Sequence, residues 1–226
     1  MTLKPAKKTA SNQNTKLEFL SAAEEIFCEQ GYKGTTIRAI ATKAGANLGA
    51  LQYYWGSKQE LFRDLFKRRF HPLHQENLQD LKAIDKNTPE GEIPNVELIL
   101  RCLINLTLAS DDNTAAHAIE RPSHKLYGRA MTDPSPVVLK EMNSIFEEAT
   151  QLFIDLMKRA CPNLQTAELD WRLNCIIGAH LFSLIHNDRM QYFFGNNTNV
   201  EPKLASQWVL QFLMYGICAE PVINKT

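Results

Sequence analysis

Apolar residues in this chain recur at helical spacing almost from end to end, and the breaks between the runs are helix stops and caps rather than hairpin turns. Phe19, Leu20, Ala23, Ile26 and Phe27 form one stripe at i, i+4, i+7 spacing, with Gly31 as its stop. Few segments alternate with a period of two, and no Val/Ile/Thr-rich run is bounded by hairpin glycines. The pattern predicts an all-α protein of about nine helices.

The punctuation locates most of them. The spacing predicts a first helix over 15–30, preceded at 1–14 by a basic, polar segment read as a flexible arm. Thr36 caps a short helix ending at Gly45, and Asn47 caps a third that carries Leu48, Leu51 and Trp55. Ser57-Lys58-Gln59-Glu60 is a capping box, and Pro72 is expected to kink or end the helix it opens. KNTPEGEIPN (86–95) reads as a linker, followed by a buried helix from Val96 to Ala109. Asp111 or Asp112 can cap a helix through about Tyr127. TDPSP (132–136) is a turn with Ser135 at the N-cap and Pro136 at N1, opening a helix to about Ala160. Thr166 opens another, expected to end at GNNTN (195–199), and Pro202 starts a last one ending near Ala219.

With 226 residues, 44% of them hydrophobic and 22% charged, the chain can bury a substantial core. No apolar stretch approaches the ~20 residues needed to span a bilayer, and the N-terminus lacks a signal-peptide core. A cytoplasmic location is the expectation. Five cysteines without a C-x-x-C pair suggest neither a disulfide framework nor a zinc site. His71 and His74 stand at i, i+3, but Pro72 between them and the lack of a nearby Cys argue against a metal. No metal or cofactor is expected.

Net charge is zero, yet residues 1–70 hold twelve Lys and Arg against six Asp and Glu. A basic third on an acidic remainder suggests that one end meets a polyanion. That end contains TTIRAIATKAGANLGALQYYWGSKQE (35–60): two short helices joined at Ala44-Gly45-Ala46 in the geometry of a helix-turn-helix, whose second helix can enter a major groove.

These residues resemble the tetracycline-repressor (TetR) family of transcriptional regulators. The resemblance rests on Ala22-Ala23-x-x-x-Phe27 with Gly31-Tyr32, then Thr36-Ile37-Arg38-x-Ile40-Ala41-x-x-Ala44-Gly45, Gly49-x-Leu51 and Ser57-Lys58-x-x-Leu61. It implies a three-helix DNA-binding domain at 15–70 and a helical ligand-binding and dimerisation domain at 71–226. It places Thr36 and Arg38 where the second helix meets DNA, and Asn47, Leu48, Gly49 and Ala50 at the start of the recognition helix. Tyr53 and Tyr54 fall where aromatic side chains pack or touch phosphate, and Lys58 matches a phosphate-binding lysine. Gln52 stands where the family usually has Tyr, Trp55 where it has Phe, and Leu48 replaces a commonly polar residue. Gln52 can reach an adenine edge through its amide.

The implied partners are a double-stranded DNA operator, a small-molecule effector and a second copy of the chain, with no membrane. Apolar residues on two faces of the last two helices fit a homodimer. Isolated polar residues in the apolar C-terminal helices, Arg101, Asn105, His117 and Arg121, are the candidate ligand contacts. An arginine facing a cavity would favour an anionic head and the apolar walls a chain, hence an amphipathic, fatty-acyl type of effector. The run Ala44-Gly45-Ala46-Asn47-Leu48, with Phe- and Tyr-bearing C-terminal helices, resembles fatty-acid-responsive members of the family. An architectural DNA-binding protein is the alternative, but it leaves the C-terminal region unexplained. An all-α enzyme lacks a nucleophile elbow, a phosphate-cradling loop, H-E-x-x-H and a paired-carboxylate motif.

Overall fold

No proline or glycine interrupts residues 6–30, and the first helix, α1, runs Ala6–Gly34. The structure, a computed structural model, describes residues 6–105, 124–185, 192 and 202–221. Most of the segment expected to be a flexible arm is therefore helical backbone. An apolar stripe is what periodicity detects, whereas Ala6, Lys7, Lys8 and Ala10 favour helix through intrinsic propensity alone. Gly31 breaks the helical path with φ 70° and ψ 179°, a conformation open essentially to glycine.

Eight more helices follow among the described residues, with no strand: α2 (Ile37–Lys43), α3 (Leu48–Trp55), α4 (Lys58–Lys86), α5 (Val96–Asn105), α6 (His124–Thr132), α7 (Pro136–Ala160), α8 (Thr166–Ile185) and α9 (Pro202–Ile217). The turn before Pro136 opens α7, as its residues predict. Pro72 does not end its helix, since α4 passes through it. A mid-helix proline costs about 3 kcal/mol. Buried Phe70 before it and buried Leu73, Leu78 and Leu81 after it offset that cost.

The chain divides into two compact units, one of Met1–His71 with Lys125–Ser144, the other of Pro72–His124 with Ile145–Thr226. In the first, Phe27, Phe62, Phe66 and Phe70 are fully buried, and their rings meet edge-on or tilted at 5.3–5.8 Å. Residues 125–144 join this unit through directional contacts. Arg129 donates to the carbonyls of Cys28 and Glu29 at 3.3 and 3.2 Å, Arg63 pairs with Glu141 at 3.0 Å, and Tyr127 packs on Phe70.

The second unit is built on Leu81, Ile99, Leu100, Leu156, Leu173 and Leu213. Burial there pulls the imidazole of His180 down to about 4 from its ordinary 6.5. The folded chain keeps this group neutral while the unfolded chain protonates near 6.5. Its contribution to stability is therefore complete above pH 6.5 and is lost as pH falls towards 4, by up to about 1.4 kcal/mol per pH unit. Urea unfolding of wild type and His180→Gln at pH 7.5 and 5 reads this directly. Wild type should lose about 2 kcal/mol more than the variant on acidification; equal losses would show that His180 protonates without penalty.

Candidate nucleic-acid interface

The surface built from α2 and α3 starts at Thr36, whose extended backbone makes it the N-cap of α2. Its Oγ1 accepts the Ala39 N–H at 3.1 Å. Ile40 and Ala41 face inward, and Arg38 is exposed. The chain then reverses through Gly45 at φ 61°. A Cβ there would meet nothing within 4 Å, so the backbone conformation itself is what favours glycine.

Asn47 opens α3 with extended backbone, and its Oδ1 accepts the Gly49 N–H at 2.8 Å. Leu51 and Trp55, four residues apart, are buried and anchor the helix. Phe19 meets the Trp55 ring edge-on at 5.7 Å, and the Trp55 indole N–H donates to Asp64 at 3.0 Å. Burial alone would push the Asp64 carboxyl up. The bonds from Trp55 and Arg68 and the charges of Arg68 and Lys16 outweigh it, holding the group below its usual range. Replacing the family's Phe by Trp55 thus adds a polar tie beneath the helix.

With that face anchored, Leu48, Gly49, Gln52 and Tyr53 lie on the opposite, exposed side, and Tyr53 is 81% exposed. Ala50 is half-buried. Tyr54 is half-buried as well, edge-on to Tyr53 and Trp55 at 5.4 and 5.6 Å, so its ring packs α3. Lys58, at the start of α4, turns its ammonium inward, where it donates to the carbonyls of Tyr32 and Thr35. Sequence reasoning passed over Lys16, whose ammonium lies 5.3 Å from the Trp55 ring centroid and 3.8 Å from Asp64. No local signal joins α1 to the end of α3; only the packing does.

The candidate ligand contacts divide differently. Arg101 and Asn105 are both exposed on α5. Arg101 is not a buried cation awaiting an anion, because its guanidinium already pairs with Glu97 at 2.6 Å, one helical turn away. It nevertheless borders an open cleft of about 500 Å³ between α5 and α9, lined also by Gln207, Leu210, Gln211 and Met214. His117 and Arg121 lie outside the described residues.

Two family profiles match the chain: bacterial regulatory proteins of the tetR family over residues 19–65, and the tetracyclin repressor-like C-terminal domain over residues 115–216. The chain belongs to the TetR family. Its TetR relatives include the HTH-type transcriptional dual regulator CecR of Shigella flexneri, 34% identical over 115 residues, which are 47% of this chain and 49% of CecR. The chain spans about half the length of the curated relatives it matches. Among solved structures, the hemolysin II transcriptional regulator HlyIIR aligns with a TM-score of 0.57 at 18% identity, over 89% of this chain and 97% of that one. The transcriptional regulator FadR from Bacillus subtilis, in complex with stearoyl-CoA, aligns with a TM-score of 0.54 at 16% identity, over 88% and 98%. At these identities the likeness is one of fold. The TetR family is a family of transcriptional regulators, not of enzymes. Among the described residues, no helix is long and apolar enough to cross a membrane.

Proposed function

We propose that this protein is a cytoplasmic, homodimeric repressor that binds a palindromic DNA operator and leaves it when a small amphipathic molecule binds. The observation that carries the reading is the exposed face of α2 and α3, held by the buried pair Leu51 and Trp55. On that face Arg38 is a phosphate contact, and Gln52 and the amide N–H₂ of Asn47 are donors to base edges. The Thr36 hydroxyl, which accepts a hydrogen bond as a cap, keeps its own proton to donate to phosphate. Leu48 and Tyr53 supply apolar and aromatic contact, Gly49 and half-buried Ala50 let the backbone approach the groove, and Tyr54 supports from behind. An architectural reading accounts for the basic end but leaves the second, C-terminal helical unit without a use.

The second copy is supported by α8 and α9. Their buried face carries Leu173, Ile176, Leu210 and Leu213, while Trp171, Phe182, Trp208, Phe212 and Tyr215 remain exposed. On α9, Leu204, Trp208, Phe212 and Tyr215 follow i, i+4, i+8, i+11 spacing, a second apolar stripe that needs a second partner. A two-fold pairing there would supply two recognition helices, the number that a palindrome with half-sites one DNA turn apart, ~34–36 Å, requires.

For the effector, the α5–α9 cleft offers apolar lining in Leu210 and Met214 and polar lining in Gln207, Gln211 and the paired Arg101 and Glu97. An acyl chain with a polar head fits that division, and the fold is shared with FadR, described in complex with stearoyl-CoA. Binding can weaken operator affinity only by its differential affinity for the two states.

Footprinting on DNA beside the protein's own gene tests the core of this reading. One protected palindrome is expected, and uniform coating would point to an architectural protein instead. On that site Gln52→Ala should cost about 1–3 kcal/mol of operator binding and relax discrimination at one base step. Equal loss on random DNA would reassign Gln52 to the backbone. Adding a long-chain fatty acid or acyl-CoA to the wild-type complex should release the DNA; complexes indifferent to every acyl ligand would remove the effector class.

A further inference from the structure

Lys58 is the first residue of α4, where the positive end of the helix dipole disfavours a cation. Its side chain folds away from that end. The ammonium donates to the Tyr32 carbonyl at 2.8 Å and the Thr35 carbonyl at 2.9 Å, and stands 4.0 Å from the centroid of the Tyr32 ring. Two of its three N–H donors are thereby used on carbonyls at the end of α1, which helix geometry leaves without intrahelical partners. Partial burial lowers its pKa, and the nearby Asp133 carboxylate works in the opposite direction.

The same turn is held from its other side. Asp133 is buried; its Oδ2 accepts the Tyr32 N–H and its Oδ1 the Ser135 N–H, both at 2.9 Å. Gly31 admits this approach because it has no side chain: a Cβ there would stand 2.7 Å from Asp133 Oδ2. Fully buried Thr35 closes the turn by donating its hydroxyl to the Gly31 carbonyl at 2.7 Å. The next residue is Thr36, the N-cap of α2. Residues 31–35 are thus clamped between the start of α4 and the turn after α6, and the direction of α2 follows from the clamp.

We propose that Lys58 is a positioning residue for operator binding, a clamp that aims α2 rather than a phosphate contact. The inference rests on the operator-binding reading above. It separates Lys58 from exposed Arg38, whose charge carries the phosphate contact.

The test is operator titration across a salt series with wild type, Lys58→Met and Arg38→Met, read beside hydrogen exchange of the free proteins. Lys58→Met should lower affinity by about tenfold or more at every salt concentration, the size set by losing two charge-assisted hydrogen bonds. Its log–log salt slope should equal that of wild type, and residues 31–43 should exchange faster. Arg38→Met should flatten the slope by about 0.9, one phosphate's share, with exchange unchanged. Acetic anhydride labelling of wild type needs no variant and covers the case in which Lys58→Met fails to fold. Lys58 should label much more slowly than exposed Lys67 already in the free protein, and operator should change that little. A slope flattened by about 0.9 in Lys58→Met, or rapid labelling of Lys58 that only DNA suppresses, would overturn the clamp. Wild type that binds no operator would overturn the operator-binding reading instead, and labelling and exchange would still report whether Lys58 holds the turn.

Discussion

Replacing both Trp208 and Phe212 by Glu is expected to give a folded monomer whose operator affinity is lower by about 10²–10⁴-fold. The two side chains are 53% and 69% exposed in the single chain, one helical turn apart on α9. Removing them should cost the fold little, since Leu210, Leu213 and Ile217 hold the buried face of the same helix. Two carboxylates brought to a two-fold interface would be desolvated beside their own copies, which disfavours the pairing. The DNA-binding surface stays intact on each monomer, but the second half-site is no longer bound intramolecularly. Sedimentation velocity and operator titration on the same samples decide the matter. A variant that remains dimeric with unchanged affinity would move the interface elsewhere.

The second large effect concerns the N-terminal unit itself. Phe62→Ala is expected to lower its unfolding free energy by about 3–5 kcal/mol, the range for deleting a fully buried aromatic side chain. Phe62 has no exposure, and its ring meets those of Phe27, Tyr32 and Phe66 at 5.3, 5.0 and 5.8 Å. The cavity would open beneath Tyr32, whose ring supports the Lys58 ammonium, so operator binding should fall together with stability. Urea denaturation followed by circular dichroism measures the first effect, and titration well below the midpoint measures the second. A loss under about 1 kcal/mol would mean that the aromatic cluster collapses to refill the space.

Much of this fold was legible because its signals are local. A cap, a turn glycine and an apolar stripe each act within one or two helical turns, so Thr36, Gly45, Asn47 and the apolar set Leu48, Leu51 and Trp55 declare themselves in order along the chain, although of that set only Leu51 and Trp55 turn inward. The turn into α7 at Ser135-Pro136 is of the same kind. The start of α1 was misread for a related reason: its first turns have propensity but no apolar stripe, and periodicity sees only the stripe. Of the two outcomes expected at Pro72, a kink or an end, the end does not occur, because burial on both sides of the proline carries α4 through it.

The site divides along the same line. Sequence by itself determined that the chain is helical and that residues 35–60 form a helix-turn-helix; which side chains of α3 turn inward was settled by packing, with Leu51 and Trp55 buried and Leu48 exposed. Only the tertiary structure decided what the cations do. Lys58 turns to the end of α1, Lys16 comes to rest beside Trp55, and Arg101 pairs with Glu97 instead of awaiting a ligand. Tertiary structure also grouped residues 125–144 with the N-terminal unit, through Asp133, Arg129 and Glu141. The reason is physical. An apolar residue has one good option, burial, and spacing tells where that lies, whereas a long charged side chain can meet water, a carboxylate or a helix end at similar free energy, and only its neighbours in space select among them.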